Sequence, residues 1–176
     1  VNAQASDAEI YNAYIQLKDA YNQLVIGKTV TSISVGASRN HSLTLLTDGV
    51  FGNGTSHEEL AYMGWEGKDN IEVIIPFDEL HYIKSLGYSG LTRANSGIYN
   101  PDVQFYVSMD GENWGEKVGE LVASAPLGVS SYAKEQASIE LEQAIPANYL
   151  KAVFSRNQSH KVNVNHTWIF LDEIEY

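Results

Sequence analysis

The stretch that most constrains this chain is residues 103–114, Val-Gln-Phe-Tyr-Val-Ser-Met-Asp-Gly-Glu-Asn-Trp. Val103, Phe105 and Val107 alternate with Gln104, Tyr106 and Ser108, the period-two pattern of a strand with one face in a core and the other toward solvent. Asp110-Gly111 then predicts a turn, because glycine accepts positive φ and an Asp carboxylate bonds backbone two residues on. Trp114 follows as a large apolar anchor expected to pack back across that turn. A strand, a Ser-x-Asp-Gly turn and a returning Trp predict the central hairpin of a β-sandwich and not a catalytic motif.

Around this hairpin the chain reads as short strand-like runs separated by Gly, Asn, Asp and Pro. The runs are 29–35, 42–46, 71–77, 83–88, 117–123, 136–141, 149–155 and 167–176. Long connections at 49–69, 89–101 and 156–166 are expected to be functional loops, since they carry aromatics. Upstream, Ile10, Tyr14, Leu17, Tyr21 and Leu24 recur at helical spacing, predicting a helix from about Ser6 to Val25. It is either a helix on the domain's own edge or the last helix of a preceding module. Residues 1–27 are accordingly divided from an all-β unit at 28–176.

With 176 residues there is room for one full domain and a short appendage. A hydrophobic share of 44% suits a folded core, and a net charge of −11 argues against nucleic acid or an anionic lipid surface as partner. Neutral ligands and cations remain. With no Cys, disulfides and thiolate metal sites are excluded. No stretch is apolar and long enough for a bilayer helix, and the start at Val1 reads as a mature product or a piece of something larger. His57-Glu58-Glu59-Leu60-Ala61 begins like the zinc-protease motif but has Ala61 where the second His must stand. Gly87-Tyr88-Ser89-Gly90-Leu91 lacks the last Gly of a nucleophile elbow. No enzyme activity is therefore expected.

Glu173 lies on the strand face of Ile169 and Leu171, while the opposite face is also apolar. Its carboxylate is expected to be buried, and a buried charge needs a salt bridge, a hydrogen-bonded network or a cation.

Leu46-Thr47-Asp48-Gly49, Gly64-Trp65-Glu66-Gly67, Pro101 opening the 103–108 strand, Asp110-Gly111 with Trp114, and the closing run 168–174 occur in a familiar order. Together they resemble the discoidin-like, coagulation-factor C-type galactose-binding fold, and most closely family 32-like carbohydrate-binding modules of bacterial glycoside hydrolases. The resemblance covers about 29–176. It implies an all-β jelly-roll β-sandwich, extracellular or at the cell surface, attached to neighbouring domains of a larger chain. It also implies a structural calcium held by Asp48 and Glu173 with carbonyls near Leu45, Val50 and Asp172, and glycan-binding loops at one end. Galactose- or N-acetylhexosamine-containing glycans are the expected ligands. Arg93 and Asn95 lie where sugar contacts should be, at a spacing that differs from the family's.

Sugar recognition needs an aromatic face and planar polar groups. The loops offer Trp65, Tyr99, Arg93, Asn95, His57, Asn157 and His160 for these roles. Trp114 and Trp168 are expected in the core. The alternative function is a spacer or protein-interaction domain with no sugar site.

Overall fold

The computed structural model describes Ala13 and residues 32–42, 44–157 and 167–176. The expected helix from Ser6 to Val25 falls, Ala13 apart, outside the described residues, as does His160. The described strands are β1 (Ser32–Ile33), β2 (Met63–Glu66), β3 (Ile71–Thr92), β4 (Pro101–Ser108), β5 (Gly119–Leu121), β6 (Ala133–Arg156) and β7 (Trp168–Glu175). All pair antiparallel, in the order β2-β7-β3-β6-β4-β5 with β1 on β3.

Two strands organise this sheet. β3 and β6 run 22 and 24 residues, several times an ordinary strand. Each merges two runs that the sequence pattern separates. They pair from Ile71↔Phe154 to Pro76↔Tyr149, and again from Ser85↔Glu140 to Thr92↔Ala133, with register shifts between Pro76 and His81 and between Ile83 and Ser85. Such irregularities bend strands, and here they carry both strands from one layer into the other. The first half of β3 and the second half of β6 join β1, β4 and β5. The remaining halves join β2 and β7.

The core fills the space between the layers. Ile71, Val73, Ile75, Val103, Phe105, Leu150 and Phe154 from one side meet Met63, Trp65, Leu86, Ile169 and Leu171 from the other. Tyr88 reaches across, its ring edge-on to Phe154 at 6.0 Å and 87°, and its buried hydroxyl donates to Pro101 O at 3.2 Å. Each such buried side chain contributes about 1.5–3 kcal/mol. The expected central hairpin forms: Asp110 Oδ1 accepts Glu112 N at 2.9 Å and Asn113 N at 2.8 Å, and Ser108 Oγ donates to it at 2.9 Å.

Several expectations are corrected. Residues 44–46 form a turn and not a strand, while 63–66, expected in a loop, form β2. Of the run 117–123, only Gly119–Leu121 is paired. The tryptophans exchange roles. Trp65 is fully buried, whereas Trp114 and Trp168 are half-buried. The Lys151 ammonium lies 4.7 Å from the Trp114 ring centroid, so this indole is satisfied at the surface by a cation and not by the core.

Candidate functional site

Trp65 sits in the middle of β2, opposite Ile169 on β7. At 0% exposure, with Nε1 donating to Val35 O at 3.0 Å, it has no face to offer a ligand and is withdrawn as a sugar platform. Tyr99 is 5% exposed, and its hydroxyl donates to Ala94 O at 3.2 Å. Asn157, equally buried, donates through Nδ2 to Asp102 Oδ1 at 2.7 Å. Both are corrected from ligand contacts to supports within the fold, because their polar atoms are committed and their surfaces covered.

The other described candidates come together. β3 ends at Thr92, and Ala94–Ser96 form a single 3-10 turn that presents Arg93 and Asn95 beside the loop preceding β6. Arg93 Nε donates to Ser130 O at 3.1 Å, and its guanidinium carbon lies 4.7 Å from the Tyr132 ring centroid. Asn95 Nδ2 donates to Ser130 Oγ at 3.3 Å. His57 joins from the 49–62 loop through a short hydrogen bond between Nδ1 and the Tyr132 hydroxyl. Its ring is 5.8 Å from Phe170, and Phe170 stacks on Trp168 at 5.2 Å and 16°.

The result is a band of partly exposed Tyr132, His57 and Trp168 joined beneath the surface by the buried Phe170, with Arg93 and Asn95 at one margin. Tyr132 and Trp168 both pack on the small second core of Tyr62, Leu91, Ile98 and Phe170. Gly64, opposite Phe170 on β2, makes the band possible. A Cβ there would come within 2.8 Å of Phe170 Cζ, a contact side chains do not make. Sequence reasoning missed Tyr132, Ser130 and Trp168. The Gly-Val-Ser-Ser-Tyr run at 128–132 carried a turn signal ending in an aromatic, the same signal that singled out the other loops. Chemically, the band offers partly exposed aromatic surface beside a guanidinium and an amide, all anchored to backbone or to each other.

The loop ahead of the band wraps the carboxylates of β7. Glu173 is 7% exposed, and its Oε2 accepts Gly49 N at 3.0 Å. Burial, followed by the charges of Asp48, Asp172 and Glu175, pushes its pKa up to about 8 against the opposing Gly49 hydrogen bond. Asp172 is fully buried. Its Oδ2 accepts Gly52 N at 2.7 Å, while Oδ1 has no hydrogen-bond partner among the described residues. Burial raises its pKa too, against the neighbouring Ser89 hydroxyl, Gly52 N and the more distant Lys134.

Among the described residues no Lys or Arg forms an ion pair with Glu173, so none of them supplies the salt bridge. No group of three or more His, Asp or Glu side chains forms a metal-binding cluster there. A shell combining Asp48 and Glu173 with loop carbonyls is of a different kind. Oxygen donors of that mixed origin are the kind that calcium takes.

The fold defines a class of protein: an antiparallel β-sandwich. More particularly, the chain has the discoidin-like fold of family 32 carbohydrate-binding modules. It is similar to CBM32-3 from a family 31 glycoside hydrolase of Clostridium perfringens, at TM-score 0.53 and 18% identity over 82% of this chain and 86% of that one. It is also similar to CpGH89CBM32-5 from C. perfringens in complex with GalNAc-β-1,3-galactose, at TM-score 0.50 and 16% identity, covering 86% and 94%. A third is the family 32 module of C. perfringens NanJ in complex with galactose, at TM-score 0.50 and 11% identity, covering 81% and 88%. No protein-family model and no curated protein matches the sequence.

Proposed function

We propose that this chain is a non-catalytic carbohydrate-binding module that holds a larger extracellular protein to glycans through the band formed by His57, Arg93, Asn95, Tyr132 and Trp168. The observation that carries this reading is the joint anchoring of Arg93 and Asn95 on Ser130 beside the Tyr132 ring. A pyranose has an apolar face that packs on aromatic rings and equatorial or axial hydroxyls that bond planar donors. Here the donors are held in place before the ligand arrives, which lowers the entropy cost of binding. Fold likeness supports the reading in the same direction, since two similar structures hold galactose or GalNAc-β-1,3-galactose. Attachment to a larger chain is supported by SpGH29, of which this fold covers 31% at TM-score 0.50 and 13% identity.

In this account calcium is structural. Asp48 and Glu173, with carbonyls near Leu45, Val50 and Asp172, hold the ion and fix the loop that leads to His57. Among the described residues no helix is long and apolar enough to cross a membrane.

A glycan array probed with the chain in calcium tests the function. Binding to galactose- or N-acetylhexosamine-terminated glycans, lost in the Arg93→Ala and Trp168→Ala variants, is expected. A folded protein that binds none of them is instead a spacer or interaction domain.

A further inference from the structure

Beneath the band lies a buried carboxylate that touches none of its surface groups. Glu135, near the start of β6, is 6% exposed. Its Oε1 accepts Thr92 Oγ1 and Leu127 N, each at 2.5 Å, and Oε2 accepts Asn100 Nδ2. These donors come from three separate segments: the end of β3, the loop before β6, and the residue that precedes β4. A carboxylate has acceptor capacity on both oxygens, so one side chain receives all three donors.

From this point the order propagates outward by named bonds. Thr92 Oγ1 also accepts Gly128 N at 3.0 Å. Gly128 O accepts Ala94 N at 2.7 Å, and Val129 O accepts Asn95 N at 3.0 Å. Ser130 then receives Arg93 Nε and Asn95 Nδ2. Gly128 is pressed against this junction, since a Cβ there would strike Thr92 O and come within 2.8 Å of Ser131 O.

The geometry points to Glu135 as the positioning residue of the glycan site: it holds the 127–132 loop against the 93–97 turn and thereby sets where Arg93, Asn95 and Tyr132 stand. This rests on the proposed function above. Glu135 is too deep to meet a sugar and acts through the loop alone. Its role is distinct from that of a core residue, whose loss weakens the whole fold evenly.

Three variants test it, with GalNAc-β-1,3-galactose as the probe for calorimetry and amide hydrogen exchange followed by NMR. Glu135→Leu removes every acceptor these three donors use, and is expected to lower affinity at least tenfold. The same substitution speeds exchange at the Ala94 and Asn95 amides tenfold or more, while the Phe105 amide in β4 is unchanged. Gly128→Ala reproduces both effects without touching the carboxylate. Glu135→Gln keeps its amide oxygen on Thr92 and Leu127 while Asn100 turns its own oxygen to the new N–H, so it retains both affinity and protection.

Unchanged affinity and exchange in Glu135→Leu overturn the proposal. So does a loss of protection shared equally by Ala94, Asn95 and Phe105, which marks a purely structural residue. If the wild-type chain binds no probe, the glycan reading fails, and selective exchange at Ala94 and Asn95 still decides whether Glu135 positions the loop.

Discussion

Arg93 and Tyr132 lie face to face, with the guanidinium carbon 4.7 Å from the ring centroid, although 39 positions of sequence separate their segments. The contact joins the turn after β3 to the loop before β6. A cation over an aromatic face at a partly exposed site contributes about 0.5–1 kcal/mol, and here it also orients a binding group. Tyr132→Ala is therefore expected to weaken glycan binding by roughly fivefold, corresponding to about 1 kcal/mol, with little change in the urea midpoint. Titration calorimetry beside a denaturation curve reads both.

The exchanged roles of the tryptophans make a second prediction. Trp65→Ala empties a fully buried site and removes the bond to Val35 O, so it should cost about 3–5 kcal/mol of stability. Trp168→Ala, at a half-buried position stacked on Phe170, should cost far less stability and reduce binding by roughly tenfold. Equal stability losses in the two variants would contradict the assignment.

Glu173 gives the protein a pH signature. Its folded pKa of about 8 lies above the unassociated value of 4.5, so between those values the native state holds a proton that the unfolded state releases. The metal-free stability contribution is present at low pH and is lost as pH rises through that window. In EDTA, the thermal midpoint should fall from pH 5 to pH 8. Calcium at the proposed site would compete with the proton, so its stabilisation should be greatest near pH 8, about 2.7 kcal/mol at one hundred times its Kd. Glu173→Gln should flatten the EDTA slope and abolish the calcium effect. Scanning calorimetry across pH, with and without calcium, decides it.

Residues 28–176 are proposed to fold without the segment before them. A chain lacking residues 1–27 should unfold in one cooperative transition and keep its ligand binding. Non-cooperative melting of that chain would place the N-terminal segment in the domain.

How far the sequence revealed this depended on the range of the interaction involved. Alternation made β4 legible, β7 stood out as an apolar run, and the Asp110 turn was legible because its hydrogen bonds are local. β3 and β6 read as four short runs, since a bend at Pro76 interrupts the pattern without ending the strand. β2 was hidden because Met63, Gly64 and Trp65 are all buried, and a strand covered on both faces shows no alternation. At the site, Arg93, Asn95 and His57 were recognisable as loop polar groups. Tyr132 and Trp168 were not, because whether an aromatic faces solvent depends on partners distant in sequence. Trp65 and Tyr99 failed as ligand contacts for the same reason. Burial of Glu173 was predictable from its two apolar flanks, whereas the absence of a basic partner among the described residues required the pairing of β7 with its neighbours.

The most direct test of the account is an NMR titration of the calcium-loaded chain with GalNAc-β-1,3-galactose. The prediction is saturable shifts at the amides of residues 93–97 and 130–132, the His57 ring and the Trp168 indole N–H, with the Trp65 and Trp114 indole signals unmoved. Shifts concentrated at Trp114 and the 108–115 hairpin, or no shift at millimolar sugar in a folded protein, would contradict the assignment of this band as a glycan site.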